Sequence, residues 1–159
     1  MVVRWISRLA PATLVLVAIT AGTLFAASSA SASHHLIRSY TNGGCLRTAS
    51  NGQVSLLPCR DADPTQHWRS WNNGWTRNVY YGYCLVSTDT EEAVRATARC
   101  NSNDRTQWWS HHPNANGWGR YAQGTGAREV CLWPFGSEVS LSTGCSRADT
   151  LWKKFPLRH

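Results

Sequence analysis

The segment Asp63-Pro64-Thr65-Gln66-His67-Trp68 recurs further along the chain as Asp104-Arg105-Thr106-Gln107-Trp108-Trp109. A third copy, Thr150-Leu151-Trp152, keeps the tryptophan and loses the Gln. A cysteine precedes each copy (Cys59, Cys100 and Cys145), and this shared layout indicates one structural unit written three times. The repeats are predicted at about residues 36–74, 75–117 and 118–159, the third being the most diverged.

The six cysteines follow the same period. They alternate with separations of 14, 16 and 14 residues, and Leu follows the first cysteine of each pair, at Cys45-Leu46, Cys84-Leu85 and Cys131-Leu132. Spacing alone allows fifteen disulfide pairings. Because equivalent repeats should form equivalent bonds, we expect Cys45–Cys59, Cys84–Cys100 and Cys131–Cys145. Each bond would close a loop of about 15 residues and stabilise the fold by up to ~3 kcal/mol.

The N-terminal segment differs from the rest of the chain. Arg4 and Arg8 flank an apolar run at residues 9–27, and Ala30-Ser31-Ala32 follows. This layout predicts a signal peptide over residues 1–32 and a secreted, extracellular mature chain over residues 33–159, without a membrane span after processing. A retained anchor is the alternative, because the apolar run is just long enough to cross a bilayer.

Composition limits the fold and the partners. The chain has 159 residues, enough for one domain, and nine tryptophans and five tyrosines supply the buriable surface that its few branched aliphatic residues do not. Loss of Arg4 and Arg8 with the leader lowers the formal charge from +7 to +5. The basic residues are scattered, which favours a solubilising surface over nucleic-acid binding. Electrostatic binding to nucleic acid or to an anionic wall polymer stays open as a third hypothesis.

Short strands and turns fill each repeat. Residues 54–57, 79–81 and 139–141 read as strands, and Gly- and Asn-rich stretches such as 41–44 and 50–52 read as turns. No window shows a sustained helical stripe. The pattern predicts an all-β fold, and three repeats favour a closed threefold arrangement over a propeller of four or more blades.

A repeated Cys-Leu, a second cysteine and a Gln-x-Trp motif together resemble the ricin B-type lectin family over the whole of residues 33–159. The resemblance implies a β-trefoil of three four-stranded repeats and carbohydrate binding. It also implies that Gln66, Trp68, Gln107 and Trp109 build the core, since a buried amide must find hydrogen-bond partners.

The family's sugar pocket uses three positions in each repeat, called here the pocket positions. An acid follows Cys-Leu, an aromatic lies two residues before the second cysteine, and an Asn precedes the motif Gln. This chain departs at each: it has Arg47, Val86 and Trp133 for the acid, Leu57, Ala98 and Thr143 for the aromatic, and Thr65 and Thr106 for the Asn. Arg47 offers only donors and Val86 offers no polar group, so neither replaces a carboxylate.

Five residues are the predicted ligand contacts: Arg47, Gln66, Gln107, Trp118 and Trp133. Trp133 is the strongest of them, because it lies in Trp133-Pro134-Phe135 at the acid position of the third repeat. The tryptophans that the core motif does not require either form an exposed binding platform or pack beneath loops.

Catalysis and metal binding are not expected. His34-His35 and His111-His112 lack a third ligand at recognisable spacing, and the neighbouring acids Glu91 and Glu92 face opposite ways on extended chain. With every cysteine paired, no thiol nucleophile is left. We therefore predict a secreted, non-catalytic module without a cofactor whose partner is a carbohydrate or glycoconjugate, such as a cell-surface polysaccharide. The alternative is a protein-binding trefoil, for example a protease inhibitor or a toxin-associated subunit.

Overall fold

A computed structural model describes residues 34–71, 74–88 and 93–157. The predicted leader and the Glu91-Glu92 pair lie outside the described residues. The described residues form twelve strands, β1 (His35–Ser39), β2 (Cys45–Thr48), β3 (Val54–Leu57), β4 (Trp68–Ser70), β5 (Thr76–Asn78), β6 (Cys84–Val86), β7 (Arg95–Thr97), β8 (Ser110–Pro113), β9 (Trp118–Gln123), β10 (Val130–Phe135), β11 (Glu138–Ser142) and β12 (Leu151–Pro156). Four 3-10 turns accompany them, η1 (Pro64–Gln66), η2 (Arg105–Gln107), η3 (Gly126–Arg128) and η4 (Ala148–Thr150). The all-β prediction is confirmed, and no helix in this part of the chain is long and apolar enough to span a bilayer.

The strands form three consecutive groups of four around a closed barrel. Antiparallel pairing joins β1 to β4, β4 to β5, β8 to β9 and β9 to β12, and β12 pairs with β1 from His35↔Pro156 to Ser39↔Trp152. A backbone hydrogen bond from Trp109 N to Gly74 O (2.7 Å) joins the segments just before β8 and β5. The second and third strands of each group form the hairpins β2–β3, β6–β7 and β10–β11. This architecture is a β-trefoil.

Two of the three predicted strands are confirmed, and the one at residues 79–81 is wrong, since those residues form a turn. The side chain of Asn78 accepts a hydrogen bond from Tyr81 N (3.1 Å), and its carbonyl accepts one from Gly82 N (2.9 Å). Gly82 has a φ of +70°, which favours glycine. Asn and Gly thus impose a turn on residues whose individual propensities favour a strand.

Three indoles, one from each group, build the core. Trp68 and Trp152 are fully buried, and Trp109 is 4% exposed. Each indole N–H donates to the carbonyl of the Leu that follows the first cysteine of its own group, with Nε1···O distances of 2.8 Å (Trp68 to Leu46), 3.0 Å (Trp109 to Leu85) and 2.9 Å (Trp152 to Leu132). These three Leu side chains have no exposed surface. The threefold repeat in sequence is therefore a threefold repeat of one buried hydrogen bond.

The expected disulfides Cys45–Cys59, Cys84–Cys100 and Cys131–Cys145 are all present. They leave no free cysteine among the described residues. Each bond links the strand that begins a hairpin to the segment that follows the same hairpin. The cross-links thereby fix the loops on which the pocket positions lie.

Candidate functional site

In the first two repeats the pocket positions hold no carboxylate. Arg47 Nε donates to Thr65 Oγ1 (3.3 Å), whose hydroxyl donates to Asp63 Oδ1 (2.6 Å). Asp63 is the cap of η1 and also accepts from Thr65 N. Arg47 is thus tied to a capping network and brings only donors.

The second repeat is less polar at the same place. Val86 and Ala98 occupy its first two pocket positions, and the carbonyl of Thr106 accepts from Ser87 N (2.8 Å). Asp104 caps η2, and hydrogen bonds from the side chain and backbone of Thr106 hold the pKa of that carboxyl below its usual value. The ionised carboxylate therefore stabilises the start of η2.

The third repeat differs, because an aromatic ring and a carboxylate meet there. Trp133 lies in β10, and Asp149 lies in η4 directly before Thr150, which stands where the other repeats have Gln. Trp133 Nε1 donates to Asp149 Oδ2 (3.2 Å). Arg147 donates twice to the same carboxylate, from Nε to Oδ1 (3.1 Å) and from Nη2 to Oδ2 (2.7 Å).

Phe135 adds a second ring to this surface. Trp133 and Phe135 are two residues apart on β10 and face the same side, with ring centroids 5.3 Å apart and a 46° tilt. Phe135 is 61% exposed and Trp133 is half-buried, while the side chains of Arg147 and Asp149 are 62% and 23% exposed. We call Trp133, Phe135, Arg147 and Asp149 the β10–β11 site. It offers an apolar face, a carboxylate acceptor and unused guanidinium donors within one patch.

The sequence pattern predicts Trp133 as a ligand contact but does not indicate Asp149 or Arg147. Alignment of Asp149-Thr150-Leu151-Trp152 with Thr65-Gln66-His67-Trp68 places Asp149 at the third pocket position. The replacement of Gln by Thr150 hid this correspondence. The acid of this repeat therefore stands where the family has its Asn, and an aromatic stands where the family has its acid.

Gln66 and Gln107, which were predicted both as core residues and as ligand contacts, lie inside the protein and are 0% and 3% exposed. Gln66 Oε1 accepts from Arg60 N and its Nε2 donates to Pro58 O, both at 3.0 Å. Gln107 repeats the arrangement with the backbone of Asn101 and Arg99, also at 3.0 Å. Both amides are occupied in holding the segment after the second cysteine against the 3-10 turn.

Trp118 lies apart from the β10–β11 site, in an aromatic cluster on β1, β9 and β12. Its ring contacts Tyr40 edge-on at 5.1 Å between centroids and Phe155 at 6.2 Å. Lys153 Nζ lies 5.7 Å from its centroid and donates to Asn116 O (2.8 Å). Trp118 is half-buried and Tyr40 is 55% exposed, so the cluster offers a second exposed aromatic surface.

The histidine pairs form no metal centre in the described structure, where no group of three or more His, Cys, Asp or Glu is placed to hold an ion. His111 Nε2 donates to Trp152 O (3.1 Å), and its ring stacks on Tyr121 at 4.8 Å. Burial lowers the pKa of His111, and a nearby Lys154 adds to this effect. His112 instead contacts Ser110 Oγ (2.9 Å). Both rings thus serve local packing and hydrogen bonding.

Two surface cavities lie elsewhere on the barrel. One, of about 600 Å³, opens between η2 and η3 and includes Arg105, Trp108 and Arg128 in its lining. The other, of about 640 Å³, lies between the β10–β11 turn at Gly136 and the segment around Leu57. Asn42 Nδ2 donates to Gly136 O (2.9 Å) across it.

The family model of the ricin-type β-trefoil lectin domain matches residues 30–149. No curated protein matches the chain.

Several solved structures share the fold. SeviL bound to asialo-GM1 saccharide is 15% identical, with a TM-score of 0.62 and coverage of 79% of this chain and 98% of that one. The β-trefoil lectin of the Vibrio vulnificus hemolysin/cytolysin, with N-acetyl-D-lactosamine bound, is 17% identical, with a TM-score of 0.65 and coverage of 80% and 96%. A GlcNAcα1-4Gal-releasing endo-β-galactosidase from Clostridium perfringens is 16% identical, with a TM-score of 0.66. The matched region covers 79% of this chain and 33% of that enzyme. At these identities the likeness establishes the fold alone.

Proposed function

We propose that this chain, which belongs to the ricin-type β-trefoil lectin domain family, is a non-catalytic module that binds carbohydrate through the β10–β11 site. One observation carries the proposal: a partly exposed tryptophan and a carboxylate are in contact at two pocket positions of the same repeat. The tryptophan occupies the family's acid position and the carboxylate occupies its Asn position. An aromatic face and a hydrogen-bond acceptor, the two kinds of group that bind a sugar, are nevertheless both present.

The chemistry follows from the shape of a pyranose, which has an apolar C–H face and hydroxyl groups at its edge. The face of an aromatic ring packs against the C–H face, and Phe135 widens this platform at Trp133. The carboxylate of Asp149 accepts from hydroxyls, and the N–H groups of Arg147 that do not bind Asp149 donate to them. An exposed arginine held at both oxygens of one acid keeps its remaining donors in a fixed direction.

The other repeats contribute less in this proposal. The first repeat has Leu57 in place of the aromatic, and the second repeat has Val86 in place of an acid. The Trp118 cluster is proposed as a secondary contact for a longer saccharide, since it has rings and a cation but no carboxylate among its described members. One main site in each chain implies modest affinity unless several chains act together.

We also propose that the protein is secreted. Three disulfides stabilise its described part, and such bonds persist in oxidising compartments. Expression of the full chain in a secreting host, followed by N-terminal sequencing of the released protein, tests this. A mature N-terminus at residue 33 is expected, and retention in the membrane fraction with residues 1–32 attached would contradict it.

A glycan array probed with the oxidised protein, expressed from the full chain, tests carbohydrate binding. We expect binding that free sugar inhibits, that Trp133→Ala weakens at least tenfold and that Tyr80→Ala leaves unchanged. Tyr80 is the matched control, an aromatic that is 60% exposed on a turn of the second group. Absence of sugar-inhibitable binding, together with capture of a secreted protein that Trp133→Ala abolishes, would replace the lectin proposal by the protein-binding alternative.

A further inference from the structure

We propose that the cavity between η2 and η3 is a second and separate binding site, for an anionic sugar residue that carries a carboxylate or a sulfate. This η2–η3 cavity lies where the second and third strand groups meet, and Thr106 is its only lining residue from the pocket positions listed above. The inference does not depend on sugar binding at the β10–β11 site.

The cavity has the size and the aromatic wall that a sugar ring needs. Its volume of about 600 Å³ falls within the range of roughly 300–1,000 Å³ that is usual for small-ligand sites. Trp108 forms part of the wall and is 43% exposed, and its Nε1 donates to Ser102 O (3.1 Å). The indole is therefore held in place with part of its surface open. The buried Trp109 and the half-buried Val130 also line the cavity.

The charge of the lining is positive. Arg105 and Arg128 both line the cavity, and no Asp or Glu does so among the described residues. Within the same residues, neither guanidinium forms an ion pair, while the other nearby acids are engaged elsewhere. Asp104 caps η2, and Glu129 accepts from Arg120 Nε (3.2 Å). Among the described residues, two cations therefore line the cavity without a counter-charge.

The two guanidinium groups of the lining only donate hydrogen bonds, and a hydroxyl can donate beside them. Thr125 precedes η3 and makes no capping bond with its side chain, so its hydroxyl is available to a ligand. Gln123 is occupied at both ends of its amide, since Nε2 donates to Arg105 O (2.7 Å) and Oε1 accepts from Ser87 Oγ. It fixes η2 against β9. A neutral sugar needs acceptors for its hydroxyls, whereas an anionic sugar brings its own acceptor to these donors.

A sugar fits this site better than a nucleic acid. Two arginines and one indole wall enclose a space for a few rings, whereas a nucleic-acid strand is followed by a groove of many basic residues. The same two arginines distinguish the cavity from the β10–β11 site, where the single arginine is already paired with Asp149.

Isothermal titration calorimetry of the oxidised protein with four probes tests the proposal. These are a uronic-acid tetrasaccharide, its carboxyl-reduced neutral counterpart, a sulfated tetrasaccharide and an oligonucleotide of equal charge. We expect one or both anionic saccharides to bind at least tenfold more tightly than the neutral one, with affinity falling as salt rises. The stronger of the two identifies the carboxylate or the sulfate as the ligand group.

The variants locate the binding. Arg105→Met with Arg128→Met, and separately Trp108→Ala, are expected to weaken binding of the anionic saccharide at least tenfold. Arg60→Met, which removes an exposed cation of the first group, and Tyr80→Ala, which removes an exposed aromatic of the second group, are expected to leave it unchanged. Equal binding of the neutral saccharide, tighter binding of the oligonucleotide, no binding of either anionic saccharide, or full affinity in the double variant with an unchanged melting temperature would each overturn the inference.

Discussion

Replacement of Asp149 by Asn should weaken sugar binding at the β10–β11 site while it changes the stability of the fold only slightly. The substitution keeps the shape of the side chain and removes its charge. Asn can still accept the hydrogen bond from Trp133 Nε1, so the fold loses chiefly the ion pair with Arg147. That arginine side chain is 62% exposed, and an exposed pair of this kind contributes only about 0.2–1 kcal/mol to stability. The free energy of unfolding should therefore fall by less than about 1 kcal/mol.

The effect on sugar affinity should be larger. A hydrogen bond from a sugar hydroxyl to an ionised group contributes about 1.5–3 kcal/mol, which corresponds to roughly a 10- to 150-fold increase in Kd. The amide also releases Arg147 from its fixed direction, so the loss should lie in the upper part of this range. Titration with the best sugar from the array measures Kd, and urea unfolding with the disulfides intact measures stability.

Asp63→Asn is the matched control, because Asp63 caps a 3-10 turn of the first repeat and is not one of the pocket positions. It should leave Kd unchanged. The reasoning is refuted if Asp149→Asn alters Kd by less than twofold, or if any loss of binding merely follows a loss of folded protein.

Three further predictions concern the fold. Gln66→Leu removes two hydrogen bonds to the backbone and should lower the free energy of unfolding by about 2 kcal/mol. A decrease of less than about 0.5 kcal/mol, measured by urea unfolding, would contradict the structural role of the amide. Trp68→Phe leaves the buried Leu46 carbonyl unpaired and opens a small cavity, which should cost about 2–4 kcal/mol, and a melting temperature equal to that of the unchanged protein would exclude this. His111→Gln tests a pH effect: burial lowers the pKa of His111, so the unfolded ring binds protons more readily and stability falls as the pH drops below about 6.5. The variant keeps a donor for Trp152 O and should show a flatter loss between about pH 7 and pH 5, whereas parallel curves would show that the ring does not contribute.

Much of the fold could be predicted because the residues that build the core and the disulfides recur in all three repeats. A Cys-Leu, a second cysteine and a tryptophan recur, and in the structure the tryptophan N–H binds the Leu carbonyl in every group. Equivalent units then form equivalent disulfides. The prediction of a strand at residues 79–81 was wrong, although Val and Tyr favour strands. The flanking residues Asn78 and Gly82 fix a turn there, and this outweighs the propensities of the residues between them.

The site was harder to predict for a different reason. Trp133 and Asp149 come together because η4 brings the end of the third repeat against β10, and no periodicity of single residues reports such a contact. Gln66 and Gln107 were predicted both to build the core and to contact a ligand. In the structure each amide binds two backbone groups inside the protein, as the core prediction requires. A polar residue in a repeated motif is therefore a structural candidate first.

The indole N–H resonance of Trp133 tests the central claim most directly. In a sugar titration followed by two-dimensional NMR, with the resonance assigned from Trp133→Phe, this signal should shift saturably, with the Kd measured by calorimetry. The indole signals of the buried Trp68 and Trp152 should stay in place. A neutral sugar that binds the protein and leaves the Trp133 signal unmoved would contradict the account.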